Sequence, residues 1–300
     1  MEEKRKNVLV TGACGQLGRA LRLLCGESPN HFVFTDIAAL PGEDILLLDI
    51  TNPDAVRLVC ESERIDVIVN CAAYNAVDAA EDDPSGAESL NHTAVAGLAA
   101  VASGCGATLI HISSDYVFPG DRPVPIRETD EPAPLNVYGA TKLAGEKAVL
   151  DSGCKALIVR TAWLYSPWGK NFVKTMLRLF RAGAGVEVVN DQVGSPTSAL
   201  SLARFLLRVI DTDGLERTGL YHYVDAGAVS WFDLAHAVLE YSGLQARLRP
   251  CSTEEYRSRA RRPAYSVLDT SLARATFGVE PPYWRDALRD CLQMMEGHAS

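Results

Sequence analysis

The sequence predicts an α/β fold: a doubly wound parallel sheet carrying a smaller α/β lobe. Three observations predict it. Short apolar runs alternate with helical patterns through the first half of the chain. Most of those runs are near-continuously apolar, as strands covered on both faces are. The residues that carry chemistry fall at the ends of the runs, where open α/β sheets bind ligands.

Taken in order, Asn7–Thr11 is a β-rich run that leads into Gly12-Ala-Cys-Gly15-Gln16-Leu17-Gly18 and an amphipathic stretch over 19–24. Strand, glycine turn and helix form the context of a dinucleotide-binding turn, although the spacing is G-x-x-G-x-x-G rather than G-x-G-x-x-G. Glycines let the backbone approach a pyrophosphate, whose charge faces the helix N-terminus. The next strand, His31–Asp36, ends about 20 residues after the glycines, where a carboxylate reads an adenosine ribose and repels a 2′-phosphate. The alternative for Asp36 is a cap on the following turn.

Residues 44–48 predict a third strand closing on Asp49-Ile50, and Asn52-Pro53 opens a helix. A fourth strand over 66–70 runs into Cys71-Ala72-Ala73-Tyr74, small residues that suit a flat ligand. Residues 84–104 predict one long alanine-rich helix carrying Asn91, and an Asn inside a helix usually has a specific hydrogen-bond reason. A fifth strand over 108–112 ends at Ser113-Ser114-Asp115, and a sixth covers 155–160.

Beyond Thr161 the rhythm changes. Helices are predicted over 171–181, 198–210, 231–241 and 284–295, with strands over 186–189 and 219–224, the latter suited to join the main sheet. The nucleotide lobe is therefore expected to comprise 1–160 with about 186–225, and the second lobe about 161–185 and 226–300. Arg259, Arg261 and Arg262 form a basic cluster for which two readings stand: a grip on a substrate diphosphate, arginine being a planar bidentate donor, or a solvated surface.

Composition narrows the function classes. The chain has 300 residues, 47% apolar and 22% charged, enough for a sizeable core. A net charge of −9 argues against nucleic acid or an anionic membrane as partner. No apolar run approaches the ~18 residues of a membrane span, and the opening Met1-Glu-Glu-Lys lacks the apolar core of a signal peptide. Eight scattered cysteines without a C-x-x-C pair read as buried free thiols in a reducing compartment. The histidines show no ligand spacing, so no catalytic metal is expected. These features predict a cytoplasmic protein.

The stretch that organises the chain is Tyr138-Gly-Ala-Thr-Lys142. Four residues apart on a helix, the two side chains share a face. A phenol near pKa ~10 is a reluctant acid at neutral pH, and a nearby ammonium lowers that value. Alone, Tyr-x-x-x-Lys is more often a packed ring beside a solvated amine. Beside a dinucleotide turn it gains roles: Ser113 or Ser114 hydrogen-bonds a carbonyl oxygen, Tyr138 protonates it, and Lys142 holds the phenol and the nicotinamide ribose. A hydroxyl–Tyr–Lys set resembles the extended branch of the short-chain dehydrogenase/reductase superfamily.

TGACGQLG, DVIVNCAAYNAVDAAE, HISSDYVFPG, PLNVYGATKLAGEKAV, RTAWLYSPWGKNFVKTML, VVNDQVGSPTSA, GLYHYV and ARRPAYSVLDT stand in this order across nearly the whole chain. In combination they resemble the dTDP-4-dehydrorhamnose reductase family. The resemblance implies a Rossmann-like fold and reduction of the C4 keto group of dTDP-4-dehydro-β-L-rhamnose by NADH or NADPH. It implies catalytic Ser114, Asp115, Tyr138 and Lys142. Cofactor contacts would come from Gly12, Gln16, Leu17, Asp36, Asp49, Ile50, Ala72, Ala73, Tyr138 and Lys142, and sugar-nucleotide contacts from Trp163, Asn171, Gln192 and Arg261/Arg262. Ser114 stands where the family often has Thr, which keeps the hydroxyl. Arg19-Ala20 replaces the acidic residue that some members use in a metal-assisted dimer, so no dimer metal is carried over; a homodimer stays open. Two other readings share the fold: a nucleotide-sugar epimerase or dehydratase, and a non-catalytic regulatory subunit of methionine adenosyltransferase. Tyr116 in place of a Glu after Asp115 argues against the dehydratase, and the intact Ser–Tyr–Lys set against the subunit.

Overall fold

Six parallel strands with their crossover helices build the first half of the molecule. The computed structural model describes residues 5–39, 41–183 and 185–297; the opening residues 1–4, on which the signal-peptide argument partly rests, lie outside them. Strand β1 (Asn7–Thr11) turns through the glycines into α1 (Gln16–Leu24), and β2 (His31–Asp36) follows. The third strand shrinks to β3 (Leu46–Leu47) because it is an exposed sheet edge with one neighbour. Helix α2 (Pro53–Ser62) opens as expected, its Asn52 cap accepting from the Ala55 amide at 3.1 Å. Strand β4 (Val67–Asn70) and a short helix α3 (Val77–Ala80) come next.

The single long helix expected over 84–104 is three pieces: α4 (Pro84–Glu88), a π-helical turn (Ser89–Thr93) and α5 (Ala94–Cys105). The extra residue of the π turn places Asn91 so that its side chain accepts from the Tyr74 amide at 2.9 Å and donates to the Tyr74 carbonyl at 3.0 Å. The loop after β4 is thereby pinned. After β5 (Thr108–Ser114), helix α6 (Val137–Asp151) begins at Asn136, whose side chain caps the Gly139 amide at 2.8 Å. Strand β6 (Ala156–Thr161) completes the unit.

The remaining elements interleave. They are β7 (Leu164–Tyr165), α7 (Phe172–Arg181), β8 (Val186–Val189), β9 (Val193–Gly194), β10 (Thr197–Ser198), α8 (Ala199–Asp211), β11 (Gly219–His222), β12 (Val229–Ser230), α9 (Trp231–Ser242), β13 (Leu248–Cys251), α10 (Thr253–Tyr256), α11 (Ser271–Phe277) and α12 (Trp284–Gly297). The main sheet has the order β11-β6-β5-β4-β1-β2-β3, all parallel. Its order reverses between β1 and β4, the crevice at which such sheets bind ligands.

The near-continuous apolar runs are resolved by alternation. Val8 and Val10 pack under α1 and α8, while Leu9 and Ile68 pack under α2 and α5 on the other face. A third core joins Val173, Leu177 and Phe180 of α7 to Val186, Leu234, Val238 and Leu288. Strand β8 pairs with β13 and lies in that third core, so residues 186–189 leave the lobe to which the sequence assigned them, whereas α8 packs on the main sheet and β11 extends it. A four-residue strand of three valines and one glutamate does not say which sheet will accept it.

Candidate active site

A cavity of about 320 Å³ opens at the C-terminal edge of β1, β4, β5 and β6. Gly15, Gln16 and Leu17 line one wall, Ala72 and Ala73 another, and Ser114, Asp115, Tyr138 and Lys142 converge on its floor. Gly12 and Gly18 lie beneath the turn. At Gly12 φ is +67°, and a Cβ would stand 2.7 Å from the Ala72 amide nitrogen, so only glycine fits. Gly15 caps α1 without a side-chain hydrogen bond, which leaves the first amides of that helix for an anion.

The catalytic candidates reach the cavity from two elements. Ser114 ends β5, caps the turn that follows, and donates to Asp115 Oδ1 at 3.0 Å. Tyr138 and Lys142 sit on the first two turns of α6, which the missing Cβ of Gly145 lets press onto the Asn91 backbone carbonyl. Lys142 Nζ donates to the Ile112 carbonyl at 2.6 Å. Tyr138 Oη lies 3.5 Å from Asn75 Oδ1, a long contact, and Ser114 also interacts with the phenol.

Burial dominates the titration of all three ionisable groups. It pushes the Lys142 ammonium down to about 8 against the opposing charge of Glu146. It pushes the Asp115 carboxyl up to about 7, although Ser114 hydrogen-bonds it, and the Tyr138 phenol up to about 12. The sequence-based expectation that Lys142 holds the phenol low is not met in this structure. The ammonium is engaged with the Ile112 carbonyl, and desolvation outweighs the help that Ser114 gives the phenolate. Beneath the site Thr11 Oγ1 donates to Asn70 Oδ1 at 2.7 Å and Asn70 reaches His111 Nδ1 at 3.2 Å, with His111 held neutral by burial and then by Lys142.

The other sequence candidates are dispersed. Asp36 ends β2 and accepts from the Cys14 amide of the glycine turn and from the Ile37 amide, both at 2.8 Å, so the capping role is occupied. Asp49 accepts from the Thr51 amide and hydroxyl, and Ile50 is buried; neither lines the cavity. Trp163 does line it, at φ +47° and stacked on Trp231 with ring centroids 3.5 Å apart. Asn171 caps α7 and donates to Gln16 Oε1 at 2.8 Å, tying the small lobe to the glycine turn. Gln192 is buried against Thr253 Oγ1 at 3.0 Å and does not line the cavity.

The structure pairs two arginines of the basic cluster with carboxylates and leaves the third exposed. Arg262 is paired to Asp78 at 2.7 Å and Arg259 to Asp82, which staples this loop to the segment around α3; Arg261 is exposed and its carbonyl accepts from Asn136. Sequence reasoning missed Asn75, Lys170 and Trp231 in the cavity wall. It also missed the ion pair of Glu146 with Arg160 behind it. The Glu at the fourth position after Lys142 was visible; its partner on β6 was not.

Glycine turn, sheet crevice and the Ser–Tyr–Lys floor define a nicotinamide-dependent oxidoreductase of the short-chain dehydrogenase/reductase type. Within that class, residues 6–296 match the family model described as the RmlD substrate binding domain, and the chain belongs to the dTDP-4-dehydrorhamnose reductase family. It is 42% identical to the dTDP-4-dehydrorhamnose reductase of Mycolicibacterium smegmatis, covering 97% of this chain and 86% of that protein. The crystal structure of a dTDP-4-dehydrorhamnose reductase from Clostridium acetobutylicum superposes with a TM-score of 0.89 at 39% identity, over 97% of this chain and 99% of that one. A Bacillus anthracis dTDP-4-dehydrorhamnose reductase, solved in complex with NADP, gives 0.86 at 37% identity, over 97% and 100%.

Proposed function

We propose that this protein reduces the C4 keto group of dTDP-4-dehydro-β-L-rhamnose to give dTDP-L-rhamnose in the cytoplasm. The observation that carries the proposal is the convergence of Ser114, Tyr138 and Lys142 in one cavity beside Gln16, Leu17, Ala72 and Ala73. The residues present fit a nicotinamide dinucleotide. The glycine turn admits no Cβ at Gly12, and the uncapped α1 amides suit a pyrophosphate. Bound NADH or NADPH supplies the hydride to C4 of the sugar.

The chain's own groups do the rest. Ser114 hydrogen-bonds the C4 oxygen and orients it. Tyr138 gives its proton to that oxygen as negative charge develops there, and regains a proton from solvent. Lys142 holds the nicotinamide ribose and, once turned from the Ile112 carbonyl toward the phenol, favours the phenolate that the transfer leaves behind. Trp163 offers an aromatic face to the nucleotide, and Arg261 or Arg262 a guanidinium to its diphosphate, Arg262 exchanging Asp78 for phosphate. Asp36 remains the candidate reader of the adenosine ribose.

The test is oxidation of NADH and of NADPH in the presence of enzymatically made dTDP-4-dehydro-L-rhamnose, with product identified by mass and NMR. Turnover with one or both cofactors is expected. No oxidation of either by folded protein refutes the proposal.

A further inference from the structure

Directly behind the reacting groups lies a buried network that the proposed mechanism does not use. Glu146 stands one helical turn beyond Lys142 on α6 and is almost fully enclosed, as is Arg160 on β6, their side chains 2% and 3% exposed. Arg160 grips the carboxylate with two parallel bonds, Nε to Oε1 at 2.8 Å and Nη2 to Oε2 at 2.6 Å. Ser113 adds a third, its hydroxyl donating to Oε1. We propose that Glu146, clamped by Arg160 and Ser113, is a positioning residue for the reduction, holding Lys142 and Ser114 in fixed relation across the contact of α6 with β5. This deepens the reductase reading and rests on it.

The register makes the argument. Ser113 and Arg160 are cross-strand partners of β5 and β6, and Ser114 pairs with Thr161 one step further. Three consecutive residues of β5 are therefore tied to the helix that carries the acid, or aimed into the cavity. The Ile112 carbonyl receives Lys142, the Ser113 hydroxyl reaches Glu146, and Ser114 enters the site. Helix α6 cannot slide along β5 without breaking the Glu146 bonds and moving Tyr138 and Lys142 with it.

Arg160 is itself fixed on the far side. Its guanidinium lies 4.7 Å from the centroid of the Phe118 ring, and Nη1 reaches His222 Nε2 at 3.4 Å. His222 gives its other nitrogen to the Ile126 carbonyl at 3.1 Å and is kept neutral, so Glu146 is the hydrogen-bonded charge partner of Arg160, with the Glu128 carboxylate a second, weaker one. A buried ion pair is a poor device for stability alone, because apolar side chains of similar volume fill such a space at least as well. What it supplies is a defined geometry.

The carboxylate has an electrostatic consequence as well. Lys142 faces His111 on β5 and Glu146 on its own helix, with Tyr138 and Asp115 across the cavity. Of these neighbours, the Glu146 carboxylate opposes the burial that drives the ammonium to discharge. Removing that negative charge moves the pH at which Lys142 loses its proton downward.

Glu146→Gln, Ser113→Ala and the double variant Glu146→Leu/Arg160→Met are compared with wild type. The readouts are thermal melting, NADPH affinity, KM for the sugar nucleotide and the pH profile of kcat. Glu146→Gln is expected to lower kcat by about 10- to 100-fold, the scale of a small misplacement of reacting groups, with KM within about twofold. Its high-pH limb should shift to lower pH. The double variant removes both charges and leaves neither unpaired, so it should melt near wild type and still show the kcat loss. Recovery of wild-type kcat and pH profile in the well-folded double variant makes the pair purely structural and overturns the proposal. Should the double variant not fold, Ser113→Ala decides. A loss of kcat with unchanged melting supports positioning, and a wild-type profile overturns it. Wild-type protein inactive on the substrate overturns the reductase reading together with this one, whereas active wild type with unchanged variants overturns only the positioning role.

Discussion

Replacing Tyr138 by Phe removes a single oxygen from the floor of the cavity. That oxygen makes a long 3.5 Å contact to Asn75 and interacts with Ser114, which keeps Asp115 as a partner, so folding should change by no more than about 1 kcal/mol. Catalysis should change far more. A positioned general acid contributes about 10²–10⁴ in rate, which is roughly 2.7–5.4 kcal/mol of barrier at about 1.36 kcal/mol per decade. The pH dependence separates tyrosine from lysine. With the phenol pushed up to about 12 and the ammonium down to about 8, the lysine limb is reached before the tyrosine limb on raising the pH, just above the Asp115 carboxyl at about 7. Because a lowered lysine is charged only below its own pKa, kcat should fall as pH rises through about 8. The assay is single-turnover decay of NADPH fluorescence at saturating substrate, from neutral pH to well above the lysine's value. Tyr138→Phe should keep that limb on its small residual rate. Lys142→Met should lose the limb, cost a similar rate, and weaken NADPH binding because the ribose contact goes too. Near wild-type turnover by Tyr138→Phe refutes the role of the phenol, and an unchanged limb in Lys142→Met refutes the assignment to lysine.

Three further outcomes are expected. Asp36→Ala should weaken NADH more than NADPH by about 1–3 kcal/mol, on top of a common loss from loosening the glycine turn at Cys14, and equal losses in a titration would show that Asp36 does not read the 2′ position. Arg261→Ala and Arg262→Ala should raise the substrate KM while NADPH affinity holds, Arg262→Ala also lowering the melting temperature slightly through its half-exposed pair with Asp78; unchanged kinetics in both would return the cluster to a stapling role. Asp225, buried with its carboxyl raised to about 7, favours folding below the unfolded value near ~4 and loses that contribution as pH rises through about 7. Asp225→Asn should therefore stabilise the protein above neutral pH, by at most about 4 kcal/mol, and not in mild acid. Parallel melting curves for the two proteins across that range would contradict the burial argument.

Much of this protein was legible in its sequence because the information was local. A glycine turn needs its glycines within one strand–helix junction, and the spacing of Gly12, Gly15 and Gly18 displays it. Tyr138 and Lys142 share a helix face by periodicity alone, and Asn136 and Asn52 announce the helices they cap. Asn91 inside a helix called for a hydrogen-bond reason, and the pinned Tyr74 loop is that reason. The order of the eight stretches from TGACGQLG to ARRPAYSVLDT carried the family resemblance, which the relatives bear out.

Tertiary structure decided what depends on partners far apart in the chain. Nothing in the four residues of β8, three of them valine, distinguishes the main sheet from a pairing with β13, more than fifty positions later. The charges of Arg259 and Arg262 were plain, but their neutralisation by Asp82 and Asp78 depends on a loop folding back across the molecule. The same holds for Trp231 on Trp163 and for Arg160 on Glu146. Titration belongs wholly to this level. The spacing of Tyr138 and Lys142 predicts an acidic phenol, whereas desolvation, a property of everything packed around the pair, pushes the phenol up and the ammonium down.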